Sequence, residues 1–130
     1  MIEFHLDGRS GVPPYLQLVR QVRQAMRLGL LREGDQLPTV KEAVAQLAIN
    51  PNTVLKAYRH LEHEGLVGVR QGVGTFVTRN LAGEALALHQ PLRQELQRWL
   101  AKARLAGLDD ESIEALFQTT FRFDAEDETA

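Results

Sequence analysis

The sequence contains no cysteine and no apolar run long enough to span a membrane. Without cysteine there can be no disulfide and no thiolate metal site, and a membrane-spanning helix needs about 20 mainly apolar residues. The N-terminal segment Met1–His5 also lacks the basic stretch and following apolar run of a secretory signal. We therefore expect a cytoplasmic protein with no membrane partner.

Common catalytic motifs are absent as well. The sequence has no glycine-rich phosphate loop, no H-E-x-x-H and no G-x-S-x-G. His60, His63 and Glu64 have a spacing that could hold a metal ion, but surface histidines near a helix end rarely do so. The acidic run 109–111 is better explained by the favourable interaction of carboxylates with a helix N-terminus. We expect no enzyme activity, no metal and no cofactor.

Length and charge favour one domain with a small appendage. A chain of 130 residues can bury one good core and little more. The net charge is −2, but residues 1–80 hold ten basic and seven acidic side chains, whereas residues 81–130 hold five and ten. The excess of basic residues in the first part gives modest support for contact with phosphates there.

Two short amphipathic helical patterns follow Leu37, separated by a tight turn. Thr39 and Glu42 form an S/T-x-x-E capping box that starts a helix near residue 40. Asn50 is a favourable N-cap, and Pro51 suits the first position of the second helix. Gly65 favours the end of that helix. Both helices carry one apolar stripe at i, i+3, i+4 and i+7, formed by Val40, Ala43, Val44 and Leu47 in the first and by Val54, Ala57, Tyr58 and Leu61 in the second.

Residues 66–78 contain two β-prone runs around the tip Arg70–Gly74, whose glycines permit positive φ. The order helix, turn, helix and hairpin predicts a winged helix-turn-helix, with the motif at about residues 40–59 and the wing at about 66–78. In this fold the second helix enters a DNA major groove and the hairpin lies beside it. The simpler interpretation is that the polar residues only cap helices and that the hairpin only closes the sheet.

The DNA-binding hypothesis identifies candidate contact residues on double-stranded DNA. Asn52 and Thr53 lie in the first turn of the second helix, where base edges are read, and asparagine suits the major-groove edge of adenine. The basic residues would contact phosphates or purines. The candidate residues are Thr39, Lys41, Asn50, Asn52, Thr53, Lys56, Arg59, Arg70, Gln71 and Gly72.

The predicted fold class is mainly α with a small β-hairpin. A short strand at residues 1–6 and a helix at residues 15–30 complete a winged domain over residues 1–80. Helices follow in residues 81–123, with a kink or a new helix start at Pro91, a helix end at Gly107 and a cap at Asp109. The acidic segment 124–130 is expected to be disordered.

The two C-terminal helices have apolar faces too broad to be buried against each other alone. They could pack back on the winged domain, but a second copy of the chain is favoured because DNA readers of this type pair to match two half-sites. The predicted dimer interface comprises Leu88, Leu92, Leu96, Trp99, Ala103, Ile113, Leu116 and Phe117.

Residues 12–78 resemble the DNA-binding domain of GntR-family bacterial transcription regulators. The family pattern is matched by residues 37–39, 47, 53–54, 61–62, 64–66 and 72–77, which read LPT, L, TV, LE, EGL and GVGTFV. Residues 50–54 (NPNTV) and 56–58 (KAY) are similar to the YtrA subfamily. Lys41 replaces the usual arginine, and Ala48 replaces the usual turn glycine, so the turn must avoid positive φ or tolerate strain.

The resemblance implies a homodimeric repressor acting on a (pseudo)palindromic operator, with the two-helix tail serving for dimerisation. It also implies regulation of its own operon together with transporter genes, and it identifies no small-molecule effector. The alternative is a winged-helix module for protein–protein assembly, with the acidic tail as its working surface.

Overall fold

The computed structural model describes residues 2–83 and 86–129, with the backbone alone for residues 86–88 and 125–129. The chain divides after Leu86 into two compact units, here called the winged unit and the helical unit. The division lies later than residue 80 because Leu81 packs against the core of the winged unit. The winged unit contains α1 (Pro14–Arg27), α2 (Val40–Leu47), α3 (Pro51–His63), β1 (Val67–Arg70) and β2 (Gly74–Val77), and the helical unit contains α4 (Leu86–Leu105) and α5 (Asp110–Thr129).

The core of the winged unit forms mainly where α1 packs against α3. All four apolar positions predicted for α3 are buried. In α2, only Ala43 is fully buried, and the other three predicted positions are partly buried. Because α2 has only eight residues, it is too short to be stable alone and depends on its packing against α3.

The turn between α2 and α3 is built from local hydrogen bonds. The Thr39 hydroxyl accepts from Glu42 N at 3.1 Å and Glu42 Oε1 accepts from Thr39 N at 3.3 Å, confirming the capping box. The Asn50 side chain accepts from Asn52 N at 2.9 Å, confirming the second cap. Ala48 lies between them in the left-handed region, with φ 53° and ψ 46°. The turn therefore tolerates strain of roughly 1–2 kcal/mol rather than avoiding positive φ.

The wing is an antiparallel hairpin in which Val67 pairs with Val77 and Arg70 pairs with Gly74. A third extended segment, residues 34–37, lies along β2 and was not predicted from the sequence. Leu37 N donates to Thr75 O at 2.8 Å, and Val77 N donates to Asp35 O at 2.8 Å. The wing is thereby attached to the residues that lead into α2.

The strand predicted at the N-terminus is wrong for residues 2–6, which form no strand. The glutamine side chains of α1 hold this segment instead, so that no neighbouring strand is needed. Gln21 Oε1 accepts from His5 N at 3.1 Å, and Gln21 Nε2 donates to His5 O at 2.6 Å. Helix α1 also ends three residues before the predicted Leu30, since Gly29 adopts φ 73°.

In the helical unit, α4 runs through Pro91, so a new helix start at that residue is wrong, and the alternative, a kink there, stays a prediction. Pro91 is the sixth residue of α4 and has no N–H to donate to the carbonyl of Ala87. Asp109 caps α5 as predicted, with Ser112 N donating to Asp109 Oδ1 at 2.8 Å. Hydrogen bonds from Ser112 also lower the pKa of Asp109.

Helix α5 continues to Thr129, and the disorder expected for residues 124–130 stays a prediction. The segment that forms α5 contains neither proline nor glycine, the two residues that most strongly break a helix.

Candidate nucleic-acid interface

The candidate interface is centred on one exposed face of α3. Asn52, Lys56 and Arg59 are all exposed and lie at i, i+4 and i+7, which places them on the side opposite the buried stripe. Thr53 is half-buried beside this face. The structure therefore brings together on one helix face an amide side chain and two cations.

Two other candidates, Thr39 and Asn50, already have structural roles. The hydroxyl of Thr39 and the side-chain oxygen of Asn50 accept the backbone N–H groups that start α2 and α3. Contact of these two residues with DNA stays a prediction and would be additional to capping. Lys41 is exposed in the first turn of α2.

Tyr58 connects α3 to the residue that precedes the α2 cap. Its hydroxyl donates to Pro38 O at 2.6 Å in the buried interior. Burial raises the pKa of Tyr58, and the negative charge of Glu42 raises it further. The sequence predicts Tyr58 only as an apolar core residue, so this link between the two helices of the motif was missed.

We expect Tyr58→Phe to lower the free energy of unfolding by about 1–3 kcal/mol, because the Pro38 carbonyl loses its buried donor. Urea unfolding of both proteins at pH 7 measures this difference. The raised pKa of Tyr58 means that, above about pH 10, the unfolded state releases its proton before the folded state does. The stability difference between wild type and variant should therefore shrink as pH rises above about 10. Equal stability at pH 7 would contradict a stabilising role for the bond.

Side-chain contacts of Arg70 and Gln36 stabilise the wing tip. The guanidinium carbon of Arg70 lies 4.6 Å from the centre of the Phe76 ring, and Gln71 and Gly72 are exposed at the tip. Gln36 Nε2 donates to Val73 O at 3.1 Å. A Cβ atom on Gly74, which has φ 145°, would lie only 2.5 Å from that nitrogen. Glycine at position 74 thus lets the Gln36 side chain pack against the tip.

A row of polar contacts follows the seam between α1 and α3. The Lys56 Nζ atom lies 4.1 Å from the centre of the Tyr15 ring. The centres of the His60 and Tyr15 rings are 6.2 Å apart. His60 Nε2 is 2.8 Å from Glu64 Oε1, and the same carboxylate pairs with Arg23. Arg23, followed by His60, lowers the pKa of Glu64.

Of the two histidines considered as metal ligands, His60 thus contacts the Glu64 carboxylate. Among the side chains that the structure describes, in residues 2–83 and 89–124, no three His, Asp or Glu side chains are grouped to hold a metal ion. Over residues 2–83 and 86–129, no helix is long and apolar enough to cross a membrane.

The predicted dimer interface is largely uncovered in the single chain. Leu92 is 61% exposed, Leu96 44%, Leu116 45% and Phe117 46%. Leu96, Trp99, Leu116, Phe117 and Phe121 line an open apolar groove, here called the helical groove. Phe121 is not among the predicted interface residues.

Two of the predicted interface residues are covered within the single chain. Ala103 and Ile113 are each only 7% exposed and so are already buried in one copy. They flank the turn between α4 and α5, where Leu108 N donates to Ala103 O at 3.1 Å. The closing of that turn covers both side chains. The side chain of Leu88 lies outside the described residues.

Comparison with known proteins gives consistent results. Residues 14–77 match the model of bacterial regulatory proteins of the gntR family. The HTH-type transcriptional repressor YtrA of Bacillus subtilis (strain 168) is 32% identical over 109 residues, which cover 83% of this chain and 84% of that protein. The family is named for regulatory proteins, and this relative is named as a transcriptional repressor.

Solved structures show the same architecture. YtrA from Sulfolobus acidocaldarius, a GntR-family transcription factor, matches with a TM-score of 0.56 and 30% identity over 77% of this chain and 99% of that one. The DNA-binding domain of AraR in complex with operator ORX1 matches with a TM-score of 0.52 and 27% identity over 58% of this chain and 93% of that one. The chain therefore belongs to the GntR family of bacterial regulatory proteins and is YtrA-like within it.

Proposed function

We propose that this protein is a homodimeric, sequence-specific regulator that binds double-stranded DNA and represses transcription by occupying a (pseudo)palindromic operator. The observation that carries the proposal is the exposed α3 face of Asn52, Lys56 and Arg59 in the same unit as a braced wing. The similarity to the operator-bound AraR domain supports it. The similarity to the transcriptional repressor YtrA further supports repression. Regulation of the chain's own operon, together with transporter genes, remains what the family resemblance implies.

In this proposal α3 enters the major groove of DNA, which is wide enough to admit a helix. Asn52 reads an adenine edge through its two amide atoms, and Lys56 and Arg59 neutralise phosphates. The wing tip then lies along the adjacent backbone or minor groove, where arginine is favoured and Arg70 is available. Gly72 at the tip carries no side chain and lets the backbone approach the DNA closely.

The helical groove supplies the second requirement, which is pairing of two copies. Its exposed leucines and phenylalanines form an apolar surface that one chain leaves in contact with water. Burial of such side chains is the main driving force of association. A two-fold pair would present two α3 helices to two half-sites.

Binding to the DNA upstream of the chain's own gene tests this proposal, measured by fluorescence anisotropy in graded salt beside a shuffled duplex. We expect tighter binding to the natural sequence by about 10³-fold or more. The logarithm of affinity should fall linearly with that of salt concentration, by roughly 0.9 per phosphate contacted. Equal affinity for both duplexes would contradict sequence reading, and absence of binding would favour the protein–protein assembly module.

A further inference from the structure

We propose that Tyr15, on α1, is a positioning residue for DNA binding, because its ring holds the Lys56 ammonium in place on the exposed face of α3. The inference rests on the proposed function and adds α1 to the elements that determine how that face meets a phosphate. Neither Tyr15 nor α1 is among the contact residues expected from the sequence.

The contact has the geometry of a cation–π interaction. The Lys56 Nζ atom lies 4.1 Å from the ring centre of Tyr15, inside the distance of about 6 Å at which a ring attracts a cation. Lys56 is exposed, so its long side chain would otherwise sample many rotamers in solution. The ring therefore restricts the ammonium to one part of the α3 surface.

The ring itself is held by the fold rather than by Lys56. Tyr15 is half-buried and packs against the core of the winged unit. The His60 ring lies beside it, with centres 6.2 Å apart, and Glu64 fixes His60 through a contact of 2.8 Å. Glu64 also pairs with Arg23 of α1, so a second side-chain contact joins α1 to the C-terminal end of α3.

This arrangement lowers the entropic cost of DNA binding. Lys56 lies one helical turn after Asn52 on the same exposed face, so both side chains approach the DNA together. Ordering a long side chain on binding costs about 0.5–1.5 kcal/mol, which corresponds to roughly two- to ten-fold in affinity. A lysine that is already ordered avoids much of that cost.

A double-mutant cycle on the full chain tests the inference, using as probe a duplex that the wild-type chain recovers from a random-sequence pool. We expect Tyr15→Leu to lower affinity about two- to ten-fold per subunit, and Tyr15→Phe, which keeps the ring, to preserve it. In a Lys56→Met background, Tyr15→Leu should have no further effect. Arg59→Met serves as the matched control background. In that background, Tyr15→Leu should lower affinity by the same two- to ten-fold factor as it does in the wild-type chain.

The free protein provides a second measurement that needs no DNA. The side-chain methylene protons of Lys56 should resonate upfield in wild type and Tyr15→Phe because of the ring current, and should move toward ordinary values in Tyr15→Leu. Thermal unfolding of each variant shows whether it is folded at the temperature of measurement.

The outcomes separate the inference from the proposed function. If wild type recovers no duplex, the proposed function fails, while the ring-current shift still tests the Lys56–Tyr15 contact. If wild type binds but Tyr15→Leu weakens binding equally with and without Lys56, the positioning role is overturned. A loss in Tyr15→Phe as large as that in Tyr15→Leu would also overturn it, because the hydroxyl and not the ring would then be the important group.

Discussion

Replacing Leu96 and Trp99 together by alanine should convert the proposed dimer into a monomer at micromolar concentration. Both side chains line the helical groove, and Leu96 is 44% exposed in the single chain. Truncating a large apolar anchor that is buried in an interface costs roughly 2–5 kcal/mol, and a two-fold dimer contains each anchor twice. Sedimentation velocity of wild type and variant measures the change directly.

Leu105→Ala provides the matched control, because Leu105 is 91% exposed and is not among the groove-lining residues. It removes the same apolar atoms from α4 as Leu96→Ala and should leave the dimer intact. A dimer that persists in the double variant would place the interface elsewhere. Dissociation in Leu105→Ala would show that the pairing surface is a different face of α4.

Replacing Asn52 by alanine should reduce operator affinity by ten-fold or more while leaving affinity for random duplex nearly unchanged. Asn52 is exposed at the second position of α3, where recognition helices read base edges. A bidentate contact of asparagine with adenine contributes roughly 1–3 kcal/mol of discrimination, and about 1.4 kcal/mol corresponds to ten-fold. Parallel titrations with the two duplexes measure the effect.

Asn50→Ala is the control for a purely structural effect of the Asn52 change. The Asn50 side chain caps α3, so its loss should lower the free energy of unfolding by about 0.5–2 kcal/mol. Asn52→Ala should leave stability nearly unchanged, since only the backbone N–H of Asn52 takes part in that cap. Equal losses of affinity on both duplexes would contradict base reading by Asn52.

The helix-turn-helix could be predicted closely because its signals are local. The capping box at Thr39 and the cap at Asn50 join residues two or three positions apart, and Gly72 at the wing tip adopts a positive φ of its own. Such contacts depend on the order of residues and hardly on the rest of the fold. The family pattern lies in the same stretch, and the match over residues 14–77 confirms the resemblance.

Other parts of the site depend on contacts between distant residues. Gln36 reaches Val73 only where the wing lies along residues 34–37, and Tyr58 reaches Pro38 only where α3 packs against α2. The polar character of Gln36 and the apolar spacing of Tyr58 contain no sign of these partners. The contact of Lys56 with Tyr15 was missed for the same reason, because the two residues lie 41 positions apart in sequence.

The helical unit shows a different limit of pattern reading. Spacing by threes and fours identifies which residues share a helix face. It does not show which of those residues are buried between the two helices and which remain exposed. Ala103 and Ile113 are covered within one copy, whereas Leu96 and Phe117 remain accessible. Which residues are buried depends on how α4 and α5 pack after the turn that joins them, and the spacing of apolar residues does not determine this packing.

Backbone amide chemical shifts, followed during titration with the recovered duplex, locate the DNA-binding surface residue by residue. We expect the largest changes at Lys41, at residues 52–59 and at residues 70–72, with small changes along the exposed faces of α4 and α5. Changes confined to the helical unit, or a wing and an α3 face that do not respond to DNA, would contradict the assignment of the DNA-binding surface.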